Sequence, residues 1–340
     1  MEGDFMTRAC ITWFAALCVS ACSSAPERSS SDEQDIWEQQ GTELLGMQPQ
    51  GTQFMGMTMQ GFQFNGATLN GAALSNVHIE KGELVAEQNQ VTLRSTDLKN
   101  AHLIAQLHDN SVNPPATVSV EYRIADIVAE SGYDPTNSGH TFLYTLEQNV
   151  DNTEPWPAAC PADLDGKHVA IPMTAIWDEQ GNRVESSTLF TFGCTSGAIG
   201  KCYRWGYRPW LTGHGDVVSA HWACTRLARA DYCGNGKPHT FEGTEIKVWD
   251  NLPSPGPINA HQTTPLLMTF EAGWDTGGAV CLSHARWLLS GPLIVVGCPG
   301  RLIAPGLGIL NATVCDTVAA ALGQDADATI FNESYITQIY

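Results

Sequence analysis

The chain has 340 residues, 43% of them hydrophobic, which is long enough for two or three domains and rich enough for a sizeable core. Its formal charge is −19, from 17 Lys and Arg against 36 Asp and Glu, and this excludes a general nucleic-acid binder or a protein drawn by charge to anionic lipid. Only 16% of residues are charged, and 32 glycines with 18 prolines predict turn-rich, mainly β structure of the α+β class rather than helical bundles.

The first predicted element is an export signal over residues 1–21. Read from Met6, it has a basic start at Arg8, the apolar run from Ala9 to Val19, and small residues at Ser20 and Ala21. Val19-Ser20-Ala21-Cys22 resembles a bacterial lipobox, which implies a lipid on Cys22 and a place in the cell envelope, at the outer membrane or cell surface. No later run reaches the ~18 apolar residues that a spanning helix needs. Residues 22–41 are rich in Ser, Gln and acid, so they cannot bury enough apolar area to fold alone and read as a disordered tether.

Over residues 42–85 the glycines Gly46, Gly51, Gly56, Gly61, Gly66 and Gly71 recur every fifth position. Phe54, Met59, Phe64 and Leu69 stand two residues before the last four of them. This segment resembles the pentapeptide-repeat family, which implies a short right-handed β-helix of about two coils, although Pro49, Met57 and Phe62 depart from the family's pattern. Residues 86–155 then form a β-rich module. Short alternating runs continue to residue 193, with Val118, Val120, Tyr122 and Ile124 at period two, and they predict an antiparallel sandwich or barrel.

Residues 156–340 hold Cys160, Cys194, Cys202, Cys224, Cys233, Cys281, Cys298 and Cys315. An even set confined to one half of an exported chain predicts four disulfides, with about 105 pairings open. No CxxC pair occurs, so neither a metal nor a cofactor is expected. The stretch from Cys194 to Gly236 is the densest in unusual residues. In CYRWGYRPW the alternation predicts a strand with Tyr203, Trp205 and Tyr207 on one face and Cys202, Arg204 and Arg208 on the other. Asp216 is placed to cap a helix running to about Tyr232, with Gly234 and Gly236 to stop it. On that helix Val217, Ala220, Cys224, Leu227 and Ala228 make the core stripe, while Trp222, Arg226 and Arg229 share another. Cys224 and Cys233, nine apart, point to opposite sides and are each expected to bond to a different element.

The run Arg229-Ala230-Asp231-Tyr232-Cys233-Gly234, with Lys201 through Trp210, Ala223 through Arg226, Gly243 through Ile246, Val248-Trp249-Asp250 and Phe270 through Trp287, resembles the ADYC domain of exported myxobacterial proteins over about residues 156–320. The resemblance implies a domain identity and carries no catalytic residue with it. About two helices are expected in this domain, the last of them capped by Asn311 and ending at Gly323.

Local charge makes the Cys194–Gly236 stretch an exception in an acidic chain, with Lys201, Arg204, Arg208, Arg226 and Arg229 against Asp216 and Asp231. Arg204, Trp205, Tyr207, Arg208, Trp222, Arg226, Arg229 and Tyr232 are therefore the binding candidates, for an envelope glycan or a protein partner. The competing reading is an envelope hydrolase using Asp216, His221 or Asp231, with His214, His239, Asp275, Ser283 and His284 as further candidates. None of these stands in GxSxG, HExxH or another motif of fixed mechanics.

Overall fold

Apolar residues at every second position build the first sheet, and its closure removes the exposed edges. The computed structural model describes residues 38–40, 57–109, 112–130, 140–149, 152–240, 244–253, 255–262, 267–287, 294, 298 and 315–335. The export signal, Cys22, most of the tether, the first part of the glycine series and Asn311 lie outside the described residues. Six antiparallel strands, β2 (Met57–Gln63), β8 (His102–Asp109), β9 (Ala116–Glu130), β10 (Thr141–Gln148), β11 (Ala170–Thr174) and β14 (Leu189–Cys194), run in the order β2-β14-β11-β10-β9-β8, and β8 pairs back onto β2 to close a barrel. Along β8, Leu103, Ala105 and Leu107 are fully buried while their neighbours are half-exposed. Tyr122, Ile124, Tyr144, Leu146, Phe190 and Phe192 complete the interior.

The closing strand comes from the glycine series, which corrects the β-helix expectation for its described part. Phe62 lies opposite Ala105 of β8 and Phe190 of β14, with ring centroids 5.0 Å from Tyr122 and 5.1 Å from Phe192. Phe64 keeps the five-residue repeat, whereas Phe62 departs from it and stands two residues from Phe64, at the strand period. A cross-strand aromatic core buries Phe62 and half-buries Phe64, whereas two β-helix coils have too few stacked neighbours to do so. The rest of the segment pairs antiparallel too. β3 (Thr68–Leu69) and β4 (Ala72–Ala73) extend the sheet beside β8, and β5 (Ser75–Glu80), β6 (Glu83–Gln88) and β7 (Val91–Arg94) form a meander. The meander is pinned to the barrel by a 3.0 Å hydrogen bond from the Leu84 amide to the Tyr144 hydroxyl. The barrel thus draws strands from all three of the stretches 42–85, 86–155 and 156–340.

A second sheet runs β1-β15-β18-β16-β17, from β1 (Glu38–Gln40), β15 (Thr244–Asp250), β18 (Ile330–Tyr335), β16 (Met268–Asp275) and β17 (Gly278–Leu282). Three helices are described: α1 (Ala198–Arg204), α2 (Val217–Arg229) and α3 (Val318–Gln324). α2 shares one core with Ile246, Val248, Ala272, Trp274 and Ile330 of the sheet, and α3 shares another with Trp249, Phe270 and Phe331. Phe270 and Ala272 serve different cores although two apart, because the register shifts between them. α1 packs against Leu143, Ile171 and Met173 on the outside of the barrel through Ile199 and Tyr203. A two-stranded ribbon, β12 (Ile176–Trp177) with β13 (Arg183–Val184), stands beside it.

Four disulfides staple these layers: Cys160–Cys194, Cys202–Cys224, Cys233–Cys298 and Cys281–Cys315. They point to an oxidising, extracytoplasmic environment. Cys224 and Cys233 bond to different elements, as expected. Among the described residues no helix is long and apolar enough to cross a membrane.

Three local expectations are corrected. CYRWGYRPW is not a strand: its first half closes α1, and its alternation dissolves into a turn that sends Tyr203 toward the barrel and Trp205 and Tyr207 into the core under α2. The second helix starts where expected, with the Asp216 side chain accepting the Ser219 amide at 3.0 Å, but ends at Arg229 rather than Tyr232. Ala230 stops it in the left-handed conformation, φ 52° and ψ 42°, ahead of the glycines. The last helix is capped by Thr317, whose hydroxyl accepts the Ala320 amide.

Candidate functional site

The tetrapeptide after α2 gives each of its residues a separate structural task. Ala230 ends the helix. Asp231 is withdrawn from water and meets the equally buried Arg226 guanidinium at 2.6 Å, while its oxygens also accept the amides of Asn235 and Gly236 at 3.0 and 2.9 Å. Arg226 donates further to the carbonyls of Gln180 and Thr276 and to Asn182 Oδ1, so one side chain ties the β12–β13 turn and the β16–β17 turn to the helix. Tyr232 stacks on Trp274 with centroids 5.1 Å apart, donates to Glu271 Oε1 at 2.9 Å and accepts the Arg286 amide at 2.9 Å. Cys233 carries the bond to Cys298.

Behind Tyr232 lies a second buried pair. Arg286 grips both oxygens of Glu271, Nη2 to Oε1 at 3.0 Å and Nε to Oε2 at 3.1 Å. Burial pushes the Glu271 carboxyl up, but the charge and hydrogen bonds of Arg286 outweigh it and hold the carboxyl below its usual range. Two saturated ion pairs flank the tetrapeptide, and both face away from solvent.

The binding candidates do not gather at one surface. Tyr207 is buried and donates to Asp250 at 3.1 Å, and Asp250 in turn accepts the amides of Leu252, Ile258 and Asn259. Trp205 is buried in the same core. Arg204 is half-buried in an acidic nest, 2.6 Å from Glu130, 3.7 Å from Asp163 and 3.8 Å from Asp165. Trp222 donates to the Gly181 carbonyl at 3.0 Å and lies 5.9 Å from the Arg226 guanidinium; Arg229 is half-buried near the end of α2. Arg208 is buried, donates to Thr141 at 3.2 Å and backs the rings of Tyr203 and Trp210 at 5.5 and 5.8 Å.

Those two rings lead to the open site. A cleft of about 260 Å³ is bounded by the β5–β6 hairpin (Ile79, Lys81, Gly82), β11 (Pro172, Met173, Thr174), Arg183 and Glu185 beside the ribbon, Tyr203, Pro209 and Trp210 after α1, and Val218 of α2. Its aromatic wall is fixed by polar tips: Trp210 Nε1 donates to Tyr203 Oη at 2.9 Å, and that hydroxyl donates to the Lys81 carbonyl at 3.4 Å. The hairpin approaches this hydroxyl so closely that a Cβ at Gly82, φ 77°, would stand 1.9 Å from it. The floor is apolar. Arg183, its side chain only 7% exposed, and the exposed Lys81 supply positive charge, and Glu185, 72% exposed, faces Arg183.

The hydrolase candidates are held apart by separate duties. Asp216 accepts both the amide and the hydroxyl of Ser219, and these bonds lower its carboxyl. His221 is fully buried, with Nε2 3.1 Å from the Ile199 carbonyl and its ring edge-on to Trp177; burial lowers its imidazole to about 3. Asp231 is consumed by Arg226. His284 Nε2 lies 3.1 Å from Ser334 Oγ, but Ser334 is fully buried and cannot meet a substrate. His284 and Ser283 project differently, and Ser283 is the exposed one.

Of the cleft residues, sequence reasoning marked Tyr203 within the aromatic row and missed Arg183, Glu185, Lys81 and Trp210 as ligands. Trp210 carried a usable signal, an aromatic residue directly after the proline that ends the row. The others carried none, since they become neighbours only through the barrel. The model of the family described as the ADYC domain matches residues 95–288, a span that begins upstream of the expected 156 and supplies every wall of the cleft except the β5–β6 hairpin. Searches of curated proteins and of solved structures find no match. The match takes in more than half of the 340 residues together with the buried tetrapeptide itself, and the chain belongs to the ADYC domain family.

Proposed function

We propose that the protein is a non-catalytic binding module of the cell envelope, anchored through a lipid on Cys22, that holds a saccharide in the cleft beside Trp210. The observation that carries this reading is the aromatic wall: the part-exposed Trp210 indole is locked by its hydrogen bond to the buried Tyr203 and backed by Arg208, so its ring is preorganised to stack on a sugar. Polar groups at the rim, Thr174 and Lys81, can bond hydroxyls around an apolar floor. The dispersal of Asp216, His221 and Asp231 into structural duties favours binding over hydrolysis. Screening the exported chain on an envelope-glycan array, followed by calorimetry on the hits, tests the proposal. Trp210→Ala is expected to weaken binding at least tenfold while the chain remains folded, which a thermal melt checks. An empty array, or a hit insensitive to Trp210→Ala, would remove the cleft as the site.

A further inference from the structure

We infer that the saccharide is recognised through a carboxylate, so that the cleft selects uronic-acid-containing glycans; this rests on the saccharide reading above. Arg183 sits in the cleft wall with its side chain 7% exposed, and its Nε has no hydrogen-bond partner. That nitrogen is closed to solvent, so the open end of the guanidinium is its Nη groups, where the exposed Glu185 sits. The guanidinium pairs with Glu185, which stands two residues further along the chain with its own side chain 72% exposed. A solvated carboxylate of that kind binds weakly and exchanges readily. Glu185 therefore acts as a placeholder on Nη1 of Arg183 until a ligand carboxylate takes the two Nη groups as a fork.

The surrounding charges favour a single carboxylate over a polyanion. Lys81 at the rim adds a second cation, and Asp216, a further carboxylate within electrostatic reach of Arg183, has its oxygens engaged by Ser219. The chain as a whole carries −19, which opposes the approach of long acidic polymers such as nucleic acid. A short sugar bearing one carboxylate on a ring meets both demands, stacking on Trp210 while its acid reaches Arg183.

The experiment compares methyl galacturonoside, which carries one carboxylate, with its methyl ester, a neutral ligand of the same ring structure, by calorimetry on the full exported chain. The acid is expected to bind at least tenfold tighter than the ester. Arg183→Gln should erase that difference. Glu185→Gln, a change at an exposed position that leaves folding intact, should tighten the acid about threefold or more and leave the ester unchanged. Equal affinity for acid and ester, or weaker binding of the acid by Glu185→Gln, overturns the carboxylate inference while leaving the saccharide reading standing. If neither sugar binds, or if only an acidic peptide does, both readings fall. Thermal melts of Arg183→Gln separate lost recognition from lost folding, and Glu185→Gln decides the matter if that variant does not fold.

Discussion

Asp231 and Arg226 are both removed from water, so a change at either is felt as an uncompensated charge rather than as a lost contact. Asp231→Asn keeps the size and shape of the side chain but leaves the Arg226 guanidinium buried without a counter-charge. The expected loss is about 3–5 kcal/mol of unfolding free energy. Asp216→Asn, at the exposed cap where Asn serves nearly as well as Asp, is expected to cost under about 1 kcal/mol. Urea midpoints of the two variants against the parent check the contrast; similar losses would mean that the tetrapeptide is not the structural knot its bonds describe. His221 makes a second residue-scale prediction. Its imidazole is lowered from 6.5 to about 3 by burial, so between those pH values the unfolded chain takes up a proton that the folded chain refuses. Stability is then full above about pH 6.5 and falls on acidification through the window by about 1.4 kcal/mol per pH unit from this group alone. In His221→Gln the slope between pH 6 and 4 should be shallower by one proton, read from urea unfolding at each pH.

At the scale of elements, the sequence was legible where local chemistry decides and opaque where distant packing does. The start of α2 was readable because Asp216 and Ser219 settle it between themselves, and the core stripe of Val217, Ala220, Cys224, Leu227 and Ala228 was readable because burial follows the helical period. The end of α2 was not, since an alanine holds the left-handed position that glycine would ordinarily take. The buried ladder around Asp231 and the disulfide beyond fix that turn, and neither is visible locally. CYRWGYRPW misled for a related reason. Its alternation is real, but Gly200 lets α1 press onto the end of β14, where a Cβ would stand 2.4 Å from the Cys194 carbonyl oxygen, and the Cys202–Cys224 bond then holds the helix against α2. The glycine series failed through ambiguity of period: Phe64 satisfies the five-residue repeat, Phe62 breaks it, and the barrel seam is built on Phe62. The cleft is the least legible feature, because Lys81, Arg183 and Trp210 belong to three elements that meet only after the barrel has closed.

For the whole molecule, the disulfides and the apolar cores are distributed unequally. The barrel interior is a continuous set of aromatic and aliphatic residues reached by one bridge, Cys160–Cys194, at its rim. The other three bridges join α1 to α2, the end of the tetrapeptide to Cys298, and β17 to the chain before α3. In the chain-entropy picture a bridge closing a loop such as that of Cys202 and Cys224, 22 residues apart, contributes about 3 kcal/mol. The second sheet with its helices therefore depends on oxidation more than the barrel does. It also holds the two fully buried ion pairs, which add little net stability of their own and lose their geometry once the staples go. Reduction is accordingly expected to unfold the molecule in two stages. Hydrogen exchange in dithiothreitol should show early loss of protection across β15–β18 and α2, while amides of β8, β9 and β10 stay protected to higher denaturant. A single cooperative loss across both would show that the α1 contact with β11 couples the layers more strongly than the bridges separate them. In that event the cleft, built from both layers, would be expected to lose ligand at the same denaturant concentration as the barrel unfolds.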